Sequence, residues 1–192
     1  MWTDGASSNG NGSASSENGQ GAPSPHRAAL LSERTIGQIP CGLFLLTAAF
    51  DGDRSGALTA WVQRCSITPP LLIVALRTGH AVEPLIRDSR SFALCQISAD
   101  DRFLIKKFTT PPDRGDDPFV TLPTRIAPSG SPVVTRAMSF LDCEVVRHVD
   151  MESDHRLYVA EVKAAETMHS CRPAVYTDCN GNPVWNQYPP AG

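Results

Sequence analysis

An aspartate and a histidine, Asp154 and His155, stand just before the run Leu157 to Val162, and a group of cations and hydroxyls gathers earlier, ahead of a two-turn helix predicted over 81–88. That group is Arg64, Ser66, Arg77, Thr78 and His80, and its chemistry suits a bound phosphate: guanidinium and hydroxyl donors close to a helix N-terminus, whose N–H groups also favour negative charge. Arg77 is the leading member. Each feature has a plainer reading as well. Taken alone, Arg64 and Arg77 read as solvated charges at strand ends, and a histidine following an aspartate in a turn is most often an exposed polar residue.

The elements that must position these residues are mostly strands. The apolar run 42–49 closes at Asp51-Gly52-Asp53 and is followed by a second run, 57–65, which predicts a hairpin. Leu71 to Leu76 follows a double proline, whose missing N–H groups suit a strand start or a sheet edge, and 91–97 reads as a further strand. Pro84 is tolerable only in the first turn of the helix over 81–88. Ser98 with Asp101 three residues on reads as a capping box opening a second helix through Phe108, with Phe103, Leu104, Ile105 and Phe108 on its buried side. After a Pro- and Asp-rich loop over 109–118, strands return at 138–148 and 157–167, with a last short pairing around Ala174 to Tyr176. Antiparallel strands with short helices at the corners argue for a small barrel, because closure removes exposed strand edges.

Bulk properties bound the answer without choosing it. The 192 residues, 41% of them hydrophobic, suffice for one sizeable core. Residues 1–28 are rich in Ser, Gly and Asn and predict a flexible tail, leaving 29–192 as the folded domain. A net charge of -3 without a long basic run leaves no electrostatic footprint for nucleic acid. No apolar run approaches the ~20 residues of a membrane span, and the start Met1-Trp2-Thr3-Asp4-Gly5 does not resemble a signal peptide, so no membrane partner and a cytoplasmic location are expected. The six cysteines show no CxxC, which favours reduced thiols; Cys65, Cys95 and Cys143 lie in runs where cysteine acts as a small core hydrophobe. His169, Cys171 and Cys179 could in principle ligate a metal, but their spacing does not favour it, and no metal is expected.

Two segments carry a family resemblance. Ser66-Ile67-Thr68-Pro69-Pro70-Leu71 is similar to the Ser-x-x-Pro-Pro-Leu signature of the flavin reductase-like, FMN-binding split-barrel family, and Ser153-Asp154-His155 before Ala160-Glu161-Val162 resembles its Gly-Asp-His turn and Gly-Glu-Val strand. Between and around them, Ile39 to Thr47 resembles the family's first strand, Asp117-Pro118-Phe119 its Asp-Arg-Phe loop, and Ala137 to Val145 the strand before the histidine. Ala60 to Ser66 with His80 to Ile86 looks closest to the branch containing the flavin reductase module of flavodiiron proteins. The resemblance runs from about Ile36 to Val175.

It implies a mainly β fold with short helices, an FMN-binding split β-barrel of antiparallel Greek-key type. It implies FMN as cofactor, FAD being an alternative, and NAD(P)H as co-substrate; with no GxGxxG after a strand, the nicotinamide would be held without a Rossmann domain. The backbone of Thr59, Ala60, Trp61, Val62 and Gln63 would read the polar edge of the isoalloxazine, Arg64, Ser66, Arg77, Thr78 and His80 would hold the phosphate, and Trp61 would pack beside the ring or a partner subunit. His155 would sit at the nicotinamide side, with Asp154 orienting its turn. The implied reaction is hydride transfer from NAD(P)H to FMN, which needs neither a nucleophile nor paired carboxylates. Reduced flavin or electrons would pass to a partner oxygenase or another acceptor, and a homodimer is expected with Trp61 and Phe44 on its apolar face.

Departures from the family pattern are specific. Leu58, Ala60 and Trp61 replace hydroxyl residues. Ser153 stands for glycine at a position where a positive φ would cost a side chain strain, and Ala160 stands where glycine is common, on what would be the floor of the nicotinamide pocket. These departures favour a rival reading, an FMN-binding electron-transfer or binding protein without significant NAD(P)H reductase activity. A non-flavin relative of the fold is a second rival.

Overall fold

The computed structural model describes residues 35–36, 39–110 and 115–175. The tail over 1–28, Tyr176 and Cys179 lie outside the described residues. Among the described residues from 39 on, nine strands and two helices follow one another as β1 (Phe44–Phe50), β2 (Asp53–Thr59), β3 (Val62–Ser66), β4 (Leu71–Arg77), α1 (Val82–Ser89), β5 (Ser91–Gln96), α2 (Arg102–Thr109), β6 (Thr124–Ile126), β7 (Pro132–Val134), β8 (Ser139–Asp150) and β9 (His155–Thr167). Seven strands form one antiparallel sheet in the order β2-β1-β5-β8-β9-β4-β3, and β6 pairs with β7.

β1 and β2 meet in a two-residue turn at Asp51-Gly52, both with positive φ, the geometry whose twist matches a right-handed hairpin. The expected second run over 57–65 is two strands rather than one. Its first part pairs with β1 at one margin of the sheet and its second part with β4 at the other, so only Ala60 and Trp61 separate the two margins. Those two residues form the seam of an incompletely closed barrel: Ala75 N–H donates to Trp61 O at 3.0 Å, and Thr59 Oγ1 donates to Ala75 O at 3.1 Å. The antiparallel split barrel is thus closed by side chain and backbone at one corner and open beside it.

Alternation along the strands produces two packed layers. Leu46, Ala57, Leu72, Val74, Leu76, Phe92, Leu94, Val145, Tyr158 and Ala160 fill the barrel interior, which Val82 and Ile86 of α1 cap. Leu45, Cys95, Ile97, Leu104, Phe108, Phe119, Val133 and Val134 make an outer layer over β1, β2 and β5. Gly56 lets the outer layer pack directly on β2, since a Cβ there would lie 3.1 Å from both Phe108 and Phe119. No such layer covers the outer side of β4 and β9, where Ile73, Leu157 and Val159 stand half-buried.

Several local expectations are corrected. The helix after Ser98 is capped by Asp101, whose Oδ1 accepts from Leu104 N–H at 3.1 Å, while Ser98 Oγ accepts only from Asp100 N–H; the short aspartate reaches the third residue ahead without a box. Phe103 leaves the buried side of that helix and lies under the Arg136 guanidinium. β6 and β7, too short to show periodicity, were not anticipated. Cys65 is exposed at the β3 bulge, whereas burial pushes the thiols of Cys95 and Cys143 up to about 12.

Candidate functional site

Arg77 ends β4 and His155 opens β9, and antiparallel register sets them directly opposite each other on the outer side of the sheet. His155 is therefore a strand residue rather than a turn residue. Trp61, leaving the seam, covers the imidazole with ring centroids 4.4 Å apart and planes inclined at 49°. Arg77, His155 and Trp61 thus converge at one rim of the uncovered face, beside the seam at Ala60 and Trp61.

Asp154 fixes the histidine's orientation. Its Oδ1 lies 3.0 Å from His155 Nδ1, and this hydrogen bond holds the carboxyl below the usual carboxylate range. An ionised carboxylate can only accept, so Nδ1 carries the proton and Nε2 is the ring atom left for other chemistry. The turn before it places its positive φ at Glu152, not at Ser153; Ser153 Oγ instead bonds His155 N–H and O, so serine carries no backbone strain there. Ala160 is fully buried inside the barrel against the interior cluster. It forms no floor of an outer pocket, and neither departure obstructs the outer rim.

The expected phosphate group divides. Arg77 is exposed, and among the described residues no hydrogen bond holds its guanidinium. Arg64 and Ser66 flank the β3 bulge, Arg64 Nε donating to Ser66 O at 3.3 Å. Thr78 is structural: its N–H and Oγ1 both donate to Asp154 O, at 2.9 and 2.7 Å, tying the end of β4 to the histidine turn. His80 is half-buried, and its Nδ1 accepts from Val82 N–H at 3.3 Å. Burial lowers its pKa against the opposing pull of Glu83, so it is a neutral helix cap rather than a phosphate cation.

The start of α1 also carries its own anion. Glu83 Oε2 accepts from Gly79 N–H at 2.8 Å, and Oε1 accepts from Tyr158 Oη at 3.3 Å and from Arg156 Nη1. The expected anion site at this N-terminus is filled by Glu83, which leaves Arg77 as the outward cation of the rim; Arg64 and Ser66, opposite Leu72 and Leu71, lie at the far end of β4. A glutamate in the first turn is a sequence signal for such capping; its partners 73 and 75 residues away are not.

One consequence is a pH dependence of stability. A histidine whose folded pKa is depressed binds fewer protons folded than unfolded below its ordinary value of 6.5, so stability falls as pH drops through that value. The melting midpoint is expected to decline between pH 7 and 5, before the carboxylates Asp150 and Asp154 titrate. His80→Asn, whose side-chain oxygen can still accept from Val82 N–H, should flatten this decline; an unchanged slope in thermal melts would assign it to other groups.

A cleft of about 450 Å³ lies elsewhere, between the β1–β2 turn, α1 and residues 115–117. The rim with Trp61, Arg77 and His155 is open, Trp61 and Arg77 being exposed and His155 half-buried. Among the described residues no three His, Cys, Asp or Glu side chains gather as metal ligands, and no helix is long and apolar enough to cross a membrane.

The profile described as Flavin reductase like domain matches residues 36–183. Diflavin flavoprotein A 1 of Synechocystis sp. is 32% identical over 131 residues, which are 68% of this chain and 23% of that protein. The chain spans about a quarter of the length of the curated relatives it matches. Among solved structures, the NADH:FAD oxidoreductase SgcE6 of Streptomyces globisporus superposes with a TM-score of 0.72 at 20% identity, covering 81% of this chain and 91% of its own. BorF, the flavin reductase component of a bacterial two-component tryptophan halogenase, superposes with a TM-score of 0.68 at 21% identity, covering 80% and 95%.

Proposed function

The chain belongs to the flavin reductase like domain family and is an oxidoreductase of that class, and from that premise we propose that it binds FMN at the Trp61–Arg77–His155 rim and reduces it with NAD(P)H. The observation that carries this reading is the cross-strand pair of Arg77 and His155 with Trp61 against the imidazole. Donor chemistry fits the cofactor. Arg77 supplies a charged donor for a phosphate, and the backbone over Thr59 to Gln63, irregular at Ala60 and Trp61, supplies peptide groups for a polar ring edge.

A bound flavin would supply the ring that accepts hydride from a reduced nicotinamide. The chain's residues do the rest. Asp154 fixes the His155 tautomer and turns Nε2 outward, where it can hold a nicotinamide amide or a dinucleotide phosphate in register. Trp61 provides an apolar flank that excludes water, and Thr78 keeps the end of β4 and the histidine turn together. Equilibrium dialysis with FMN and FAD tests the assignment: saturable FMN binding is expected, and a protein that retains neither flavin would refute it.

An open rim cannot bury most of a flavin, as small-molecule sites do, so a second copy of the chain is the cover we propose. Phe44 packs on the interior cluster and does not contribute; the uncovered face with Ile73, Leu157 and Val159 does. Light scattering should give twice the chain mass for the parent, and Val159→Glu should give monomers. A monomeric parent that still binds flavin would exclude the dimer.

The reduced flavin, or its electrons, would go to an oxygenase or another acceptor. The halogenase component among the structural neighbours and the diflavin relatives support such a partner. The free thiols of Cys41, Cys65 and Cys171 accord with a cytoplasmic location.

A further inference from the structure

We infer that Glu83 is a positioning residue, its carboxylate holding the turn over 77–80 and the His155 end of β9 at a fixed spacing. The inference rests on the flavin reading of that rim and adds a residue that touches none of the proposed ligand atoms. Glu83 sits on α1 with its side chain only 11% exposed. One oxygen takes Gly79 N–H, two residues after Arg77; the other takes Arg156, the neighbour of His155, and Tyr158. Arg156 continues the chain of contacts to Asp150 at 3.0 Å, at the far side of the histidine turn. One carboxylate therefore ties both loops of the rim to a helix that is itself anchored by Val82 and Ile86 in the barrel interior.

Charge and geometry give opposite expectations when this carboxylate is neutralised. By charge alone, Glu83→Gln would expose the Arg156 cation and tighten FMN. By position, it would let the two loops drift and slow hydride transfer, which is sensitive to small misplacements. Arg156 keeps Asp150 as a counter-ion at 3.0 Å when Glu83 is neutralised, so position is the effect that remains.

The test compares Glu83→Gln, Arg156→Gln and their double with Arg136→Gln, which breaks a separate ion pair with Asp101 under the other layer. In the flavin-free protein, the His155 ring protons carry the ring-current shift of Trp61, and NMR should show that shift reduced in the first three variants and retained in Arg136→Gln. In the FMN-loaded protein, reduction by NADH should slow about tenfold in each single variant and no further in the double. Unchanged His155 shifts, additive losses in the double, or tighter FMN with parental rates would overturn the inference. Should Glu83→Gln fail to fold, Arg156→Gln carries the comparison alone, because it leaves the Gly79 and Tyr158 bonds in place. A parent that binds no FMN would sink the flavin reading while the NMR comparison still decides the role of Glu83.

Discussion

His155→Ala is expected to keep FMN affinity within about threefold of the parent while lowering the rate of flavin reduction by roughly 10- to 100-fold, because a misplaced nicotinamide loses near-attack geometry rather than binding. The structural reason is the division of labour along the rim. His155 is held by Asp154 on one side and by the Trp61 ring on the other, so its imidazole is oriented before any ligand arrives. Stopped-flow reduction by NADH and a parallel FMN titration check both halves. A variant that reduces FMN at the parental rate would remove His155 from the reaction, and one that loses FMN would make it a cofactor ligand.

Arg77→Ala should weaken FMN by about 1.5 to 3 kcal/mol, roughly 10- to 150-fold, the range of a hydrogen bond to a charged group. Arg77 is singled out because the other expected cationic and helical donors are engaged: Thr78 holds Asp154 O, His80 caps Val82, and Glu83 fills the start of α1. Its exposure also means that truncation leaves no buried partner behind, so the loss reads as a lost ligand contact. Titration of the folded variant decides it; parental affinity would transfer the phosphate to Arg64 and Ser66.

Much of the barrel was legible because its strands obey period two with turn residues between them. Leu71 to Leu76 and the start of β8 came within one residue of their observed bounds. The split at Ala60 and Trp61 was not legible: the run 57–65 is continuously strand-like, and only pairing with two different neighbours divides it. The same holds for β6 and β7, three residues each, which exist because they pair with one another and Val133 and Val134 complete the outer layer.

At the proposed site, residue types singled out Arg77 and His155, which the fold brings together, but did not give each residue's task. Arg77 and His155 are 78 positions apart, and only register makes them neighbours. Thr78 and His80 have side chains suited to phosphate, yet local geometry commits both to the protein. Ser153 and Ala160 looked like obstacles by motif position; strand parity puts Ala160 inside the barrel, and the turn moves its strained φ to Glu152. Glu83 and Arg156 escaped notice since an ion pair across so much sequence leaves no local signature.

The most direct test of the central claim is anaerobic mixing of the FMN-loaded protein with NADH and with NADPH, following the visible absorption of the oxidised flavin. Bleaching that saturates with at least one of the two nucleotides is the result this account expects. A stably bound flavin that neither nucleotide bleaches beyond the rate of free FMN would contradict it and leave an FMN-binding electron carrier in its place.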